Sequence, residues 1–327
     1  MIRAVVTGAT GLLGSHLVVE LLRAGGYTVV APFRSESSVA KLGSVLARYG
    51  FSTENVVLVS CDIADFEQSC TLISDADVVF HTAALVNFNS NDDIVATNVQ
   101  LTQNVVQACL SAPTPPLLVH TSSIAALGVV PYPEVITELT PFTNIINSSC
   151  YAQSKFLSEN EVWRSHGLGL RCVVVNPSVI LGGLGGGMKP IFDWVRRTGM
   201  PFYTDGVMGF VDVVDVAHAM RLLSQEPQSW GHRYLISGFN LSFREFICAL
   251  NSANYRLRPW FRVPRWLARF VIFILQMFMR HPPLTPAMLG FLFGKTLYDG
   301  SLIERTVDFR YSQFSDTCNS IFGGETH

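Results

Sequence analysis

Charge is scarce in this chain. Of its 327 residues, 15% are Asp, Glu, Lys or Arg, and the formal net charge is −2. There is no basic excess, so nucleic acid is not an expected partner. Cysteine is sparse and unpatterned. The seven Cys stand at 61, 70, 109, 150, 172, 248 and 318, an odd number with no C-x-x-C pair. That usage fits a reduced, cytoplasmic chain with free thiols better than a disulfide scaffold. No His, Cys and Asp residues share metal-ligand spacing, so no metal is expected. A G-x-S-x-G elbow is also missing, which argues against a Ser-His-Asp hydrolase. Long hydrophobic runs are lacking too. In the most membrane-like stretch, 266–279, the unbroken apolar part covers only 270–275, too short to span a bilayer. The first 24 residues contain Gly8, Gly11, Gly14 and Glu20, so no secretory leader is expected. Internal repeats and low-complexity tracts are absent.

What the chain does have is apolar bulk, 49% of its residues. That is enough for one large α/β domain and a smaller unit. It also has a glycine pattern at its start. Val5-Val6-Thr7-Gly8-Ala9-Thr10-Gly11-Leu12-Leu13-Gly14 reads as an apolar strand, a turn and the opening of a helix. Glycines spaced G-x-x-G-x-x-G let the backbone turn tightly and approach a ligand, because no Cβ intervenes. The helix beyond offers free N–H groups and a positive dipole end, which suit a pyrophosphate.

The rest of the first half alternates strand and helix. Residues 3–7, 27–33, 55–60, 78–81, 117–122 and 171–176 read as strands. Residues 12–24, 39–49, 65–74, 92–110 and 151–166 read as helices, from apolar spacing and from breakers such as Gly25-Gly26 and Pro115-Pro116. Such alternation predicts an α/β fold, a doubly wound parallel sheet with ligand at the carboxyl ends of its strands. After Pro177 the character changes. Gly182, Gly183, Gly185, Gly186 and Gly187 suggest a flexible loop, and 190–197 a helix. Residues 1–178 are therefore assigned to a dinucleotide-binding core, rejoined by about 210–237. Residues 179–209 and 238–327 are assigned to a smaller, mainly helical C-terminal cap that binds substrate.

Four more features sit at the ends of these elements. They are Asp62, then His81-Thr82-Ala83-Ala84, then Thr121-Ser122-Ser123, then Tyr151-Ala152-Gln153-Ser154-Lys155. With the glycine stretch, this order over residues 1–240 resembles the extended short-chain dehydrogenase/reductase family, part of the NAD-dependent epimerase/dehydratase superfamily. Its closest likeness in type is to dihydroflavonol-4-reductases and 3β-hydroxysteroid dehydrogenases. The resemblance implies a Rossmann core and assigns roles. Tyr151 is the general acid–base, Lys155 its electrostatic support and a ribose ligand, Ser123 the partner of the carbonyl oxygen, and Asn98 the support of a proton relay. Ser123 is preferred to Ser122 because Ile124-Ala125-Ala126-Leu127-Gly128 resembles the family's segment after the catalytic serine. Tyr151 and Lys155 lie one helical turn apart and share a face. A neighbouring ammonium favours the phenolate and should lower the phenol's pKa. His81 and His120 are read as packing residues.

The dinucleotide is expected to contact Gly8, Thr10, Gly11, Leu12, Leu13, Gly14, Asp62, Ile63, Thr82, Ala83, Ala84, Tyr151, Lys155, Pro177 and Ser178. At the end of the second strand, Val30-Ala31-Pro32-Phe33-Arg34 carries no acid for the ribose hydroxyls. Arg34 resembles the arginine of NADP-using reductases, and Lys41 could assist it. NADP(H) is thus favoured over NAD(H). The expected activity is carbonyl reduction, or oxidation of a secondary alcohol, on a fairly apolar small molecule. Dehydration is disfavoured, because Ile124 and Ala125 stand where dehydratases carry an acid pair. A nucleotide-sugar epimerase with bound NAD and a non-catalytic redox-sensing regulator are the alternatives. Phe202, Tyr203, Phe210, Trp260, Phe261 and Trp266 are candidates for an apolar pocket, though most are expected to be core. Arg256, Arg258, Arg262, Arg265, Arg269 and Arg280 surround an apolar stretch. A cap helix with snorkelling arginines is favoured there over peripheral contact with a membrane surface. Many relatives dimerise through the helices that bear Asn98 and Tyr151, so the resemblance admits a homodimer.

Overall fold

The computed structural model describes residues 1–85, 93–142, 148–182, 199–253, 259–278 and 286–322. Its first half runs β1 (Ile2–Thr7), α1 (Leu12–Ala24), β2 (Tyr27–Phe33), α2 (Glu36–Arg48), β3 (Val57–Ser60), α3 (Phe66–Ile73), β4 (Val78–His81), α4 (Asp93–Ser111), β5 (Leu117–Thr121), β6 (Val135–Ile136), α5 (Cys150–Gly167) and β7 (Cys172–Pro177). There follow β8 (Val179–Leu181), β9 (Phe202–Tyr203), β10 (Val207–Asp212), α6 (Val213–Gln225), β11 (Arg233–Ile236), β12 (Phe239–Ser242) and α7 (Phe243–Ala253). The chain then forms β13 (Phe261–Arg262), α8 (Arg265–Phe278), α9 (Pro286–Phe293), β14 (Leu297–Tyr298), α10 (Leu302–Thr306) and α11 (Phe314–Phe322).

Seven parallel strands form the main sheet in the order β11-β7-β5-β4-β1-β2-β3. Strand alternation loads both faces. Ala4 and Val6 enter one core cluster, with Leu13, Leu17, Val18 and Leu21 of α1 and Val216, Met220 and Leu223 of α6. Val5 enters the other, with Leu72 of α3, Val105 and Cys109 of α4 and Val162 of α5. Complete burial of a leucine such as Leu17 contributes about 1.5–3 kcal/mol. α1 ends where its apolar face ends. Gly25 and Gly26 take φ of 70° and 78°, a left-handed turn that suits glycine, and Gly25 N–H closes on Leu21. Strand order reverses between β1 and β4, so a crevice opens there at the carboxyl edge.

Two sequence boundaries shift. α2 begins at Glu36 because Ser35 takes the extended N-cap conformation and Glu36 supplies charge to the first turn. The polar run Ser35–Ser38 hid that start from apolar periodicity. β3 begins at Val57, since 53–55 is a short 3-10 turn boxed by Ser52 and Asn55.

The second half departs from the expected division. Within 210–237, α6 and β11 join the main domain, but β10 pairs with β8 and β12 in a separate three-stranded sheet. The smaller unit is therefore not all helical. Its core is Leu181, Met200, Phe210, Phe243, Phe246, Ile247, Leu250 and Cys318. Ile303 and Phe309, though late in the chain, pack in the first cluster of the main domain. The expected loop glycines 183 and 185–187, the expected helix 190–197, and Arg256, Arg258 and Arg280 lie outside the described residues. Among the described residues, no helix is long and apolar enough to cross a membrane.

Candidate active site

The parallel strands bring most of the expected residues to one edge. Gly8 follows β1, Arg34 follows β2, Asp62 follows β3, Thr82-Ala83-Ala84 follow β4, Ser122-Ser123 follow β5, and Pro177-Ser178 end β7. Tyr151 and Lys155 lie in the first turns of α5.

The glycine turn is closely built. Gly8 has φ 75°, and a Cβ there would stand 2.7 Å from the Ala83 nitrogen and 2.8 Å from Thr82 Oγ1. At Gly14 a Cβ would stand 2.1 Å from the Gly8 carbonyl oxygen. Gly14 therefore lets α1 close on the turn itself. Gly11 is exposed, and its N–H donates to Gly8 O at 2.9 Å. It caps α1 with no side-chain hydrogen bond, and the first turn of α1 has no acid. The first N–H groups of α1 thus have no side-chain competitor for an anion. Thr10 and Leu12 are half-buried beside this turn, and Leu13 is buried beneath it. The Thr82 hydroxyl donates to Thr7 O at 2.8 Å, which joins the β1 and β4 turns. Asp62 Oδ1 accepts from Ala64 N at 3.1 Å, and Asn104 Nδ2 donates to the carbonyls of Ile63 and Ala64 at 3.1 and 2.7 Å. Arg34 and Lys41 are both exposed, just beyond β2 and on α2. A dinucleotide fits this edge: uncapped N–H groups, glycines where a Cβ would clash, and a cation at the end of β2.

Around Tyr151 polar groups are buried and paired. Ser123 Oγ accepts from Ala125 N at 3.1 Å and interacts with the Tyr151 phenol. Lys155 is buried, and its Nζ donates to Thr121 O at 2.9 Å. Asn98 is buried on α4. Its carboxamide accepts from Leu85 N at 2.7 Å and donates to Leu85 O at 3.0 Å and to Ser154 Oγ at 3.2 Å. The Ser154 hydroxyl donates in turn to Tyr151 O at 2.8 Å. Asn98 thus ties the turn after β4 to the start of α5.

The electrostatics differ from the expected picture in one respect. Burial pushes the Tyr151 phenol above its ordinary pKa, and Ser123 pulls it partly back. The lowering expected from the ammonium does not appear, because desolvation outweighs the pull of Ser123. Burial moves Lys155 itself down to about 8, while the Glu159 carboxylate raises it. His81 bonds Thr7 Oγ1 at 2.8 Å and Thr102 Oγ1 at 3.3 Å, and desolvation brings it down to about 3. The His120 ring lies tilted, 5.4 Å from His81, and is likewise held well below its ordinary value by burial. Both rings are neutral packing groups at neutral pH.

Glu159 went unread in the sequence. It is 1% exposed on α5, one turn beyond Lys155. Ser122 Oγ donates to it at 2.6 Å, Asn176 Nδ2 at 3.0 Å and Trp163 Nε1 at 3.0 Å, and Arg233 forms an ion pair with it. Ser122 is thereby committed away from Ser123. The available signal was an acid four residues after a lysine, on the helix face already assigned to the sheet. Among the described residues, no cluster of three His, Cys, Asp or Glu side chains is arranged to hold a metal ion.

Some candidates for an apolar pocket lie elsewhere. Phe210 is fully buried and stacked 4.6 Å from Phe246 in the core of the smaller unit. Trp260, Phe261 and Trp266 are exposed.

Residues 4–237 match the model of a family described as the NAD dependent epimerase/dehydratase family. The chain is 32% identical over 244 residues to cinnamoyl-CoA reductase 1 of Petunia hybrida, covering 70% of this chain and 71% of that protein. It is 30% identical over 275 residues to a putative dihydroflavonol 4-reductase of Synechocystis, covering 80% and 75%. The fold is similar to that of yeast methylglyoxal/isovaleraldehyde reductase complexed with NADPH, with a TM-score of 0.75, 17% identity, and 99% and 98% of the two chains covered.

Proposed function

The chain belongs to the NAD-dependent epimerase/dehydratase family and is an NAD(P)-dependent oxidoreductase, and we propose that it uses NADP(H) to reduce the carbonyl of a fairly apolar small molecule, or to oxidise the matching secondary alcohol. The observation that carries this reading is the convergence, on the carboxyl edge of the sheet, of the Ser123–Tyr151 pair, of Lys155 on the Thr121 carbonyl and of the uncapped start of α1.

In the reduction, a bound nicotinamide supplies hydride to the carbonyl carbon. Ser123 and Tyr151 donate hydrogen bonds to the carbonyl oxygen, where negative charge develops. Tyr151, whose pKa burial raises, carries its proton at neutral pH and gives it to that oxygen. The Lys155 ammonium stabilises the phenolate left behind and binds the nicotinamide ribose. Its charge is present below about pH 8 and lost above it. Glu159 defends that charge from behind. Asn98 holds the start of α5 in place through Ser154 and so positions Tyr151. Gly8, Thr10, Gly11, Leu12, Leu13 and Gly14 hold the pyrophosphate. Asp62 and Ile63 hold the adenine end, and Thr82, Ala83, Ala84, Pro177 and Ser178 line the trough. Arg34, assisted by Lys41, selects the 2′-phosphate. All seven cysteines are free, which supports a cytoplasmic setting.

The test is NADPH oxidation across a panel of apolar aldehydes and ketones. Tyr151→Phe should lower kcat by roughly 10²–10⁴-fold while NADPH still binds. Full activity in that variant sinks the mechanism. Arg34→Asp should weaken NADPH by tenfold or more, about 1.4 kcal/mol, and spare NADH. Equal loss for both removes the NADP preference.

A further inference from the structure

One stretch of the smaller unit has no role in the site just described. From Phe246 to Tyr298 the sequence contains no Asp or Glu, but it contains Arg256, Arg258, Arg262, Arg265, Arg269, Arg280 and Lys295. The chain as a whole is slightly acidic, at −2, so positive charge is concentrated here. The same stretch holds the main apolar exposure among the described residues. Eight of the 18 exposed large hydrophobic residues among those described fall within 260–278, whereas the others are scattered. Clustering of this kind marks an interaction surface.

α8 explains the pattern. At 100° per residue, Trp266, Phe270, Phe273 and Met277 fall on one stripe of the helix. They are 69%, 57%, 58% and 63% exposed. Trp260 extends the patch at 78% exposure. Ile272, on another face of α8, is 3% exposed and seats the helix on the protein. Arg265 and Arg269 flank the aromatic stripe, and both are exposed. Arg262 is paired with Asp205, so it is partly neutralised. The helix has 14 residues, about 21 Å at 1.5 Å per residue, against a hydrocarbon core of about 30 Å. It is long enough to lie in an interface and too short to cross one.

We propose that the α8 face docks this protein on an anionic lipid surface. The aromatic stripe enters the boundary between headgroups and acyl chains, with Trp260 and Trp266 at headgroup depth, and Arg265 and Arg269 pair with lipid phosphates. A second copy of this chain fits the same face less well. A two-fold contact sets the patch against itself; α8 carries no acid and Asp205 is already paired with Arg262, so the face then meets its own arginines. An anionic bilayer offers both the apolar phase and the opposite charge.

The test is flotation of the purified full-length protein with vesicles of phosphatidylcholine alone, or with roughly 30 mol % phosphatidylglycerol. Binding is expected only to the anionic vesicles, and it should fall steeply in about 0.5 M salt. Arg265→Gln and Arg269→Gln should each weaken binding about fivefold. Phe270→Ser/Phe273→Ser should abolish it without changing the melting temperature, because both rings are in solvent. No binding to anionic vesicles at low salt overturns the proposal. So does equal binding to neutral vesicles. A dimer in solution that Phe270→Ser/Phe273→Ser dissolves overturns it in favour of a second copy. The native chain's binding and its salt response decide the matter even if a variant fails to fold.

Discussion

At the carboxyl ends of the main sheet, most polar side chains are buried and paired, with the His120 ring and the Ser178 hydroxyl as exceptions. Along 260–278, apolar side chains stand in water. Lys155 has Thr121 and Glu159, Asn98 has Leu85 and Ser154, and His81 has Thr7 and Thr102. Trp266, Phe270 and Phe273 have no comparable enclosure. Burying a polar group costs several kcal/mol unless a partner meets it at the right distance, so the first region must be built to fine tolerances. Exposed apolar area is tolerated without such tolerances, and it marks a surface that gains by leaving water. Substitutions should therefore hurt folding in the first region and spare it in the second.

The largest expected effect belongs to a buried phenylalanine of the smaller unit. Phe246 is 2% exposed and stacked on Phe210. Phe246→Ala should cost about 3–5 kcal/mol in denaturant unfolding. A loss below 1 kcal/mol would break the contrast with α8.

Glu159→Gln comes next. It removes a buried charge and leaves Arg233 without its ion pair, at a cost of about 3 kcal/mol. It also removes the charge that raises Lys155, so the Lys155 pKa should fall below about 8. The limb of the pH–rate profile that reports Lys155 should then move to lower pH. An unmoved limb would make Glu159 a purely structural residue.

A smaller effect lies where α1 meets α6. Glu20 accepts from Arg221 Nε at 2.6 Å and from His218 Nδ1 at 2.8 Å, and these partners draw its pKa down from 4.5 to about 2 despite desolvation. The folded-state value lies below the unfolded one. The stabilisation is therefore complete above about pH 4.5 and is lost as pH falls toward 2. Glu20→Gln should destabilise by roughly 2–3 kcal/mol at pH 7. Melts of the two proteins should converge near pH 2.

The smallest effect belongs to the exposed stripe. Phe273→Ser should change stability by less than about 0.5 kcal/mol. A cost of 2 kcal/mol or more would show that the ring is enclosed in solution, which would erase the contrast between the regions.

Much of the main domain could be read from the chain, because local rules and tertiary demands agree there. Residues 12–24 carry leucines at helical spacing and stop at two glycines, and that is where α1 begins and ends. Gly8, Gly11 and Gly14 announced the turn, and Tyr151 and Lys155 announced a shared helix face. The second half was harder. Strand β10 looked like a return to the main sheet, since its apolar residues would suit either sheet. Pairing with β8 and β12 is a long-range choice that no local signal records.

The same limit applies to charge and exposure. Composition placed seven basic residues and no acid between 246 and 298, but it did not say which rings would face water. Trp266 and Phe246 are equally apolar in the sequence. One is 69% exposed and the other 2%, because burial depends on what packs opposite, which is decided when the elements assemble. Titration behaves likewise. A lysine four residues after a tyrosine promised a lowered phenol pKa. Desolvation decided otherwise. The sequence by itself determined the strand–helix alternation, the glycine turn and the candidate side chains at the strand ends, since these rest on backbone sterics and local spacing. Only the tertiary structure decided the company those side chains keep: Glu159 behind Lys155, and open water beside α8.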